Sequence, residues 1–229
     1  MSKSKKLFLT TIILAVLSTL FTIIIAFVDK GNIGPNASDV GLSHFNKFFK
    51  NLIGQNELFY TISKVFGLLI FGIVLTYFIV AFIQIIKRKS IKKVDKEIWI
   101  LGIFYIILAL IYFSFELLKI NYRPVLVDGK LEPSYPSSHT LFAIFICVTA
   151  IFINNKLLTN KKLNLILNII ISLLGIITII GRLLSGVHWI TDIIGGLLIS
   201  TTLVLAYITL IEYLREMDEI NKIDTKPEE

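Results

Sequence analysis

Apolar and polar residues alternate in long blocks along this chain. Residues 7–28 run without a charge, enough to cross a bilayer as a helix, which takes about 20 residues. Further apolar blocks cover residues 58–86, 98–118, 139–153, 163–180 and 189–211. Six such blocks predict an all-α polytopic membrane bundle of six transmembrane helices. A cleavable signal would have an apolar core of about 7–15 residues followed by a small-x-small site. The first block is longer and ends Ala-Phe-Val-Asp-Lys, so it reads as an uncleaved first span.

Residues 42–53 break the block pattern. Leu42, Phe45, Phe48, Phe49, Leu52 and Ile53 recur at helical spacing, with His44, Lys47, Lys50 and Asn51 opposite. This predicts a short amphipathic helix lying in the membrane interface, with Ser43 as N-cap and Gly54 as C-cap. His44 sits on its polar side with no partner visible in the sequence. Residues 29–39 and 119–138 carry the glycines and prolines of loops. A membrane domain over 1–211 is expected to be followed by a charged cytoplasmic tail, 212–229, frayed or disordered.

Composition agrees with the blocks. Of 229 residues 55% are hydrophobic and only 17% charged, against about 25% charged in soluble domains. A net charge of +7 would suggest nucleic acid in a soluble protein. Here the cations fall between apolar blocks, so no nucleic-acid partner is expected. Six spans put both termini on one side, which holds fifteen Lys and Arg, against eight on the other. The richer side is read as cytoplasmic. The loops around 119–138 and 182–188 then share the extracytoplasmic face. Cys147 is a lone cysteine within an apolar block, a core residue with no disulfide partner.

Those two loops hold the candidate chemistry. One contains Lys119, Arg123-Pro124 and Pro136-Ser137-Ser138-His139; the other contains Arg182, His188 and Asp192. If residues from 189 onward are helical, His188 and Asp192 share one helix face. A carboxylate there can orient an imidazole. Arginine forks suit phosphate oxygens, and free N–H groups at a helix start after Ser137 suit an anion. Two histidines, one backed by a carboxylate, suit attack and protonation. Metal-dependent phosphatases gather several carboxylates. The only other acids in the polar loop, Asp128 and Glu132, read as solvated, so neither metal nor cofactor is expected.

The order Arg-Pro, Pro-Ser-x-His and Arg-x5-His-x3-Asp resembles the type-2 phosphatidic acid phosphatase family, also called PAP2 or lipid phosphate phosphatases. Bacterial undecaprenyl-diphosphatase-like or phosphatidylglycerophosphatase-like members are the nearest kind. The resemblance implies that His188 is the nucleophile, Asp192 orients it, and His139 protonates the leaving oxygen. Arg123, Arg182, Ser137 and the backbone near Ser138 would bind phosphate. Three positions depart from the pattern. Glu116 stands where a lysine is usual, with Lys119 as the substitute nearest in sequence. Ser138 replaces a glycine, and Gly181 replaces a serine.

The expected function is hydrolysis of a membrane lipid phosphate or diphosphate through a phosphohistidine. Undecaprenyl diphosphate leads as substrate, followed by phosphatidylglycerol phosphate and phosphatidic acid. A phosphotransferase on the same scaffold, or a transporter or scaffold, are the alternatives. The oligomeric state is not readable.

Overall fold

The computed structural model describes residues 2–224. Among them are seven α-helices: α1 (Lys3–Phe27), α2 (Ser43–Ile53), α3 (Glu57–Arg88), α4 (Lys96–Leu118), α5 (Ser138–Leu157), α6 (Lys161–Ser185) and α7 (Ile190–Asp224). All but α2 are long and apolar enough to cross a membrane. No strand occurs among the described residues; the only pairing is three isolated bridges. The expected all-helical, six-span architecture is what the chain adopts.

α5 is the axis of the bundle. Leu141, Ala143, Phe145, Ile146, Ala150 and Ile153 are at most 1% exposed, and α3, α4, α6 and α7 pack round them. Lipid tails are as apolar as leucine, so helices in a bilayer gain little from apolar contact and associate through close packing and polar pairs. α1 follows this rule. Ser4 Oγ donates to Glu216 at 2.5 Å, while Thr11 meets Thr209 at 3.2 Å and Ser18 meets Thr202 at 3.1 Å. The spacing is seven residues on both helices, so one antiparallel polar seam docks α1 on α7. Its far end is Thr22, whose hydroxyl lies 2.8 Å from that of Tyr135 in the loop before α5.

Three expectations need correction. α7 does not fray after residue 211 but continues to Asp224, held by ion pairs from Lys3 to Glu212 (3.2 Å) and from Lys96 to Asp218 (2.5 Å). Residues 225–229, including Lys226, lie outside the described residues. α6 extends through Ser185, so Arg182 sits in a helical turn rather than in the connecting loop. Ser43 is not the cap of α2. Asp29, just past the end of α1, accepts the His44 N–H at 3.0 Å, the Ser43 hydroxyl at 3.2 Å and the His44 ring at 2.7 Å. A carboxylate from outside the helix thus caps its start and supplies the partner that His44 lacked in sequence. The hydrogen bonds from His44 hold the Asp29 carboxyl below its ordinary pKa. Gly54 does end α2, at φ +73.

α2, the loop after α4 and the turn between α6 and α7 meet at one end of the bundle. The ion pairs of Lys3, Lys96 and Lys156 with Glu212, Asp218 and Glu97 occupy the other.

Candidate active site

α4 ends at Lys119, in left-handed conformation and exposed to solvent. Beyond it the chain forms a small hairpin, with Tyr122 opposite Pro133 and Val127 opposite Lys130. Asp128 and Gly129 make the turn, both at positive φ (49 and 73), the conformation for which Asp-Gly is favoured. The hairpin fixes Arg123. Its N–H donates to the Glu132 carbonyl at 3.0 Å, and its Nε lies 3.2 Å from the Glu132 carboxylate. Glu132 is therefore the ion partner of Arg123, not the solvated acid the sequence suggested.

The turn between α6 and α7 carries His188. α7 begins at Ile190, so His188 is outside the helix that holds Asp192. The two are not on one helix face, as the spacing had implied, yet they meet. Asp192, the third helical residue, reaches back and accepts the Trp189 N–H at 2.9 Å. This is half of a capping box, and it folds the chain so that His188 Nδ1 comes 3.4 Å from Asp192 Oδ2. Asn121, fully buried, donates to the other carboxylate oxygen at 3.5 Å. Trp189 Nε1 donates to the Tyr122 carbonyl at 2.7 Å, and the Ser137 N–H donates to the Asp192 carbonyl at 3.0 Å. All three sequence motifs are thus tied together through backbone groups.

Ser137 is the N-cap of α5. Its Oγ lies 3.1 Å from the Thr140 hydroxyl and 3.5 Å from the Thr140 N–H. Ser138 and His139 open the helix, half-exposed. Both ring nitrogens of His139 lie on Nη2 of Arg182, Nδ1 at 2.9 Å. Two close approaches by α3 set this corner. A Cβ at Gly67 would lie 2.7 Å from the His139 ring, so the ring fits only against glycine. A Cβ at Gly181 would lie 3.0 Å from that of Ser63. The glycine that replaces the usual serine before Arg182 is where α3 packs on α6.

Seven of the eight predicted site residues converge here. Lys119 stays exposed at the end of α4, and its side chain makes no hydrogen bond or ion pair among the described residues. The sequence reading missed the supporting shell: Asn121, Thr191 and Asn46, the last fully buried with its Nδ2 2.9 Å from Thr191 Oγ1. A small signal for Asn46 existed, an amide facing inward on a helix otherwise split between aromatic and cationic faces.

The electrostatics are one-sided. Arg182 is 2% exposed and forms no ion pair with an acid among the described residues; its guanidinium lies over the Tyr60 ring, 5.2 Å from the centroid. Eight buried side-chain polar atoms lack a hydrogen-bond partner among the described residues, and five belong to Arg123, Arg182 and His188. Burial, then the charges of Arg123 and Arg182, hold the His188 imidazole well below its ordinary pKa. It is therefore a neutral base with a free lone pair near pH 7. No cluster of three His, Cys, Asp or Glu suited to a metal ion occurs among the described residues.

No curated protein matches the sequence. A solved structure does match the fold: the crystal structure of a transmembrane PAP2 type phosphatidylglycerolphosphate phosphatase from Bacillus subtilis. The two share 20% identity at a TM-score of 0.55, over 93% of this chain and 98% of that one. Residues 114–216 match the family model described as PAP2 superfamily. That segment contains Arg123, His139, Arg182, His188 and Asp192 and lies within a chain of six apolar helices long enough to cross a membrane.

Proposed function

We propose that this protein is an integral membrane phosphatase that removes the terminal phosphoryl group of a lipid phosphate or diphosphate through a phosphohistidine. One observation carries the reading: the buried Arg182 guanidinium, without an acid partner and with Nε and Nη1 unbonded, beside two histidines. A buried unpaired charge costs several kcal/mol, by order of magnitude. A phosphate dianion offsets that cost and satisfies the orphaned N–H groups of Arg182.

The chemistry follows from the atoms. Asp192 engages Nδ1 of His188, so Nε2 attacks phosphorus. The bond from phosphorus to the leaving oxygen breaks as the N–P bond forms. Phosphate draws Arg182 away from the His139 ring, which then takes a proton from solvent, and the imidazolium gives that proton to the leaving oxygen. Water then attacks the phosphohistidine, passes a proton to His139, and releases inorganic phosphate and free His188. The Ser137 hydroxyl and the first N–H groups of α5 hold phosphate oxygens. On the count of basic residues, this end of the bundle faces away from the cytoplasm.

The test is phosphate release from purified protein with lipid monophosphates and diphosphates, in EDTA. Release that His188→Ala abolishes supports the reading. Activity that appears only with added divalent ion contradicts it.

A further inference from the structure

The PAP2-like pattern leaves one charge unaccounted for, because Glu116 stands at its lysine position and Lys119 points to solvent. The structure offers another cation, on a helix that the sequence presents as a plain apolar span. Tyr60, Lys64 and Gly67 recur at helical spacing and form one face of α3. Gly67 meets the His139 ring, and Tyr60 meets Arg182. Lys64 Nζ lies 5.1 Å from the same Tyr60 ring, so one aromatic carries two cations. Lys64 is the eighth residue of α3, about 10 Å along the helix from its start. Its side chain is exposed and has no acid partner among the described residues.

We propose that Lys64, seated on Tyr60, forms a second anion subsite beside Arg182 and His139 that takes the second phosphate of a lipid diphosphate. This deepens the phosphatase reading and rests on it. The side of the site decides the assignment. Gly67, on the same face of α3 one turn beyond Lys64, meets the His139 ring, so Lys64 stands on the His139 side of the site. His139 serves the leaving group and His188 the transferred phosphoryl group. Lys64 therefore faces the leaving group. In a diphosphate that group is a phosphate monoester, which gains negative charge as the P–O bond breaks, and an ammonium there stabilises it.

Two measurements test this. The first compares farnesyl diphosphate with farnesyl monophosphate, which differ only in the second phosphate. Lys64→Gln should lower kcat/KM for the diphosphate at least tenfold more than for the monophosphate, and Lys64→Arg should restore most of the loss. The second needs no turnover: calorimetric binding of methylenediphosphonate and of inorganic phosphate to protein in detergent. Wild type should favour the diphosphonate, and Lys64→Gln should lose that preference. Equal loss on both substrates, no loss on either, or a preference kept by Lys64→Gln would overturn the subsite. A loss greatest on phosphatidylglycerophosphate, whose second phosphate lies across a glycerol, would overturn its assignment to a directly linked phosphate. Hydrolysis retained by His188→Ala would instead sink the phosphatase mechanism, and the binding measurement would still decide Lys64.

Discussion

His188 Nδ1 lies 3.4 Å from Asp192 Oδ2, with the side chains of both residues almost wholly enclosed. Asp192 also accepts the Trp189 N–H and faces Asn121. The carboxylate is thus fixed from two directions before it meets the imidazole. That rigidity lets His188 present Nε2 in one orientation, which matters because small misplacements of reacting atoms are costly in rate.

Asn121 is the most testable part of this support. Its Nδ2 faces Asp192, and its Oδ1 accepts the Gly41 N–H at 2.9 Å. Asn121→Asp keeps the acceptor but exchanges the donor for a second carboxylate. Its kcat should fall by about tenfold or more, the size of a lost hydrogen bond to a charged group. KM should move little, because the Asn121 amide bonds Asp192 and Gly41 rather than an arginine of the site. Steady-state kinetics check this; a change confined to KM would show that Asn121 does not position Asp192.

The acid limb of kcat/KM reports His188. Protonation removes the attacking lone pair, and burial with Arg123 and Arg182 lowers the imidazole pKa. Activity should persist below about pH 6.5, the ordinary imidazole value. Arg123→Gln removes a cation that opposes protonation, so its residual activity should be lost at higher pH than in wild type. A limb unmoved by that substitution would contradict the electrostatic account.

Sidedness is open to chemical labelling. Cys147 is buried at 4% exposure, so the wild-type background should be low. A cysteine at Lys130, exposed beside the hairpin turn, should react with an impermeant reagent outside intact cells. One at Lys92 should react only after lysis. The reverse pattern would place the chemistry in the cytoplasm.

The spans were legible because hydrocarbon forces a long uninterrupted apolar run, and the motifs because arginine, histidine and aspartate are costly at a membrane boundary. The hairpin was also written in the chain as Val127-Asp128-Gly129-Lys130, but proline and polar residues masked it as plain loop. What stayed hidden was whatever depended on tertiary approach. Nothing local says that Asp29 caps α2, that Gly67 clears space for His139, or that Lys64 of an apolar span shares the Tyr60 ring with Arg182. The His188 and Asp192 pairing was anticipated for the wrong reason: a capping reach, not a shared helix face, brings them together.

The central claim is that His188 takes the phosphoryl group. The most direct test is rapid acid-free quench of protein mixed with a terminally 32P-labelled lipid diphosphate, comparing wild type, His188→Ala and His139→Ala. Wild type should carry an acid-labile, alkali-stable label on His188. His188→Ala should carry none, while His139→Ala should still be labelled but more slowly, by about 10²–10⁴-fold. Label that persists in His188→Ala and vanishes in His139→Ala would reverse the roles of the two histidines and contradict the mechanism.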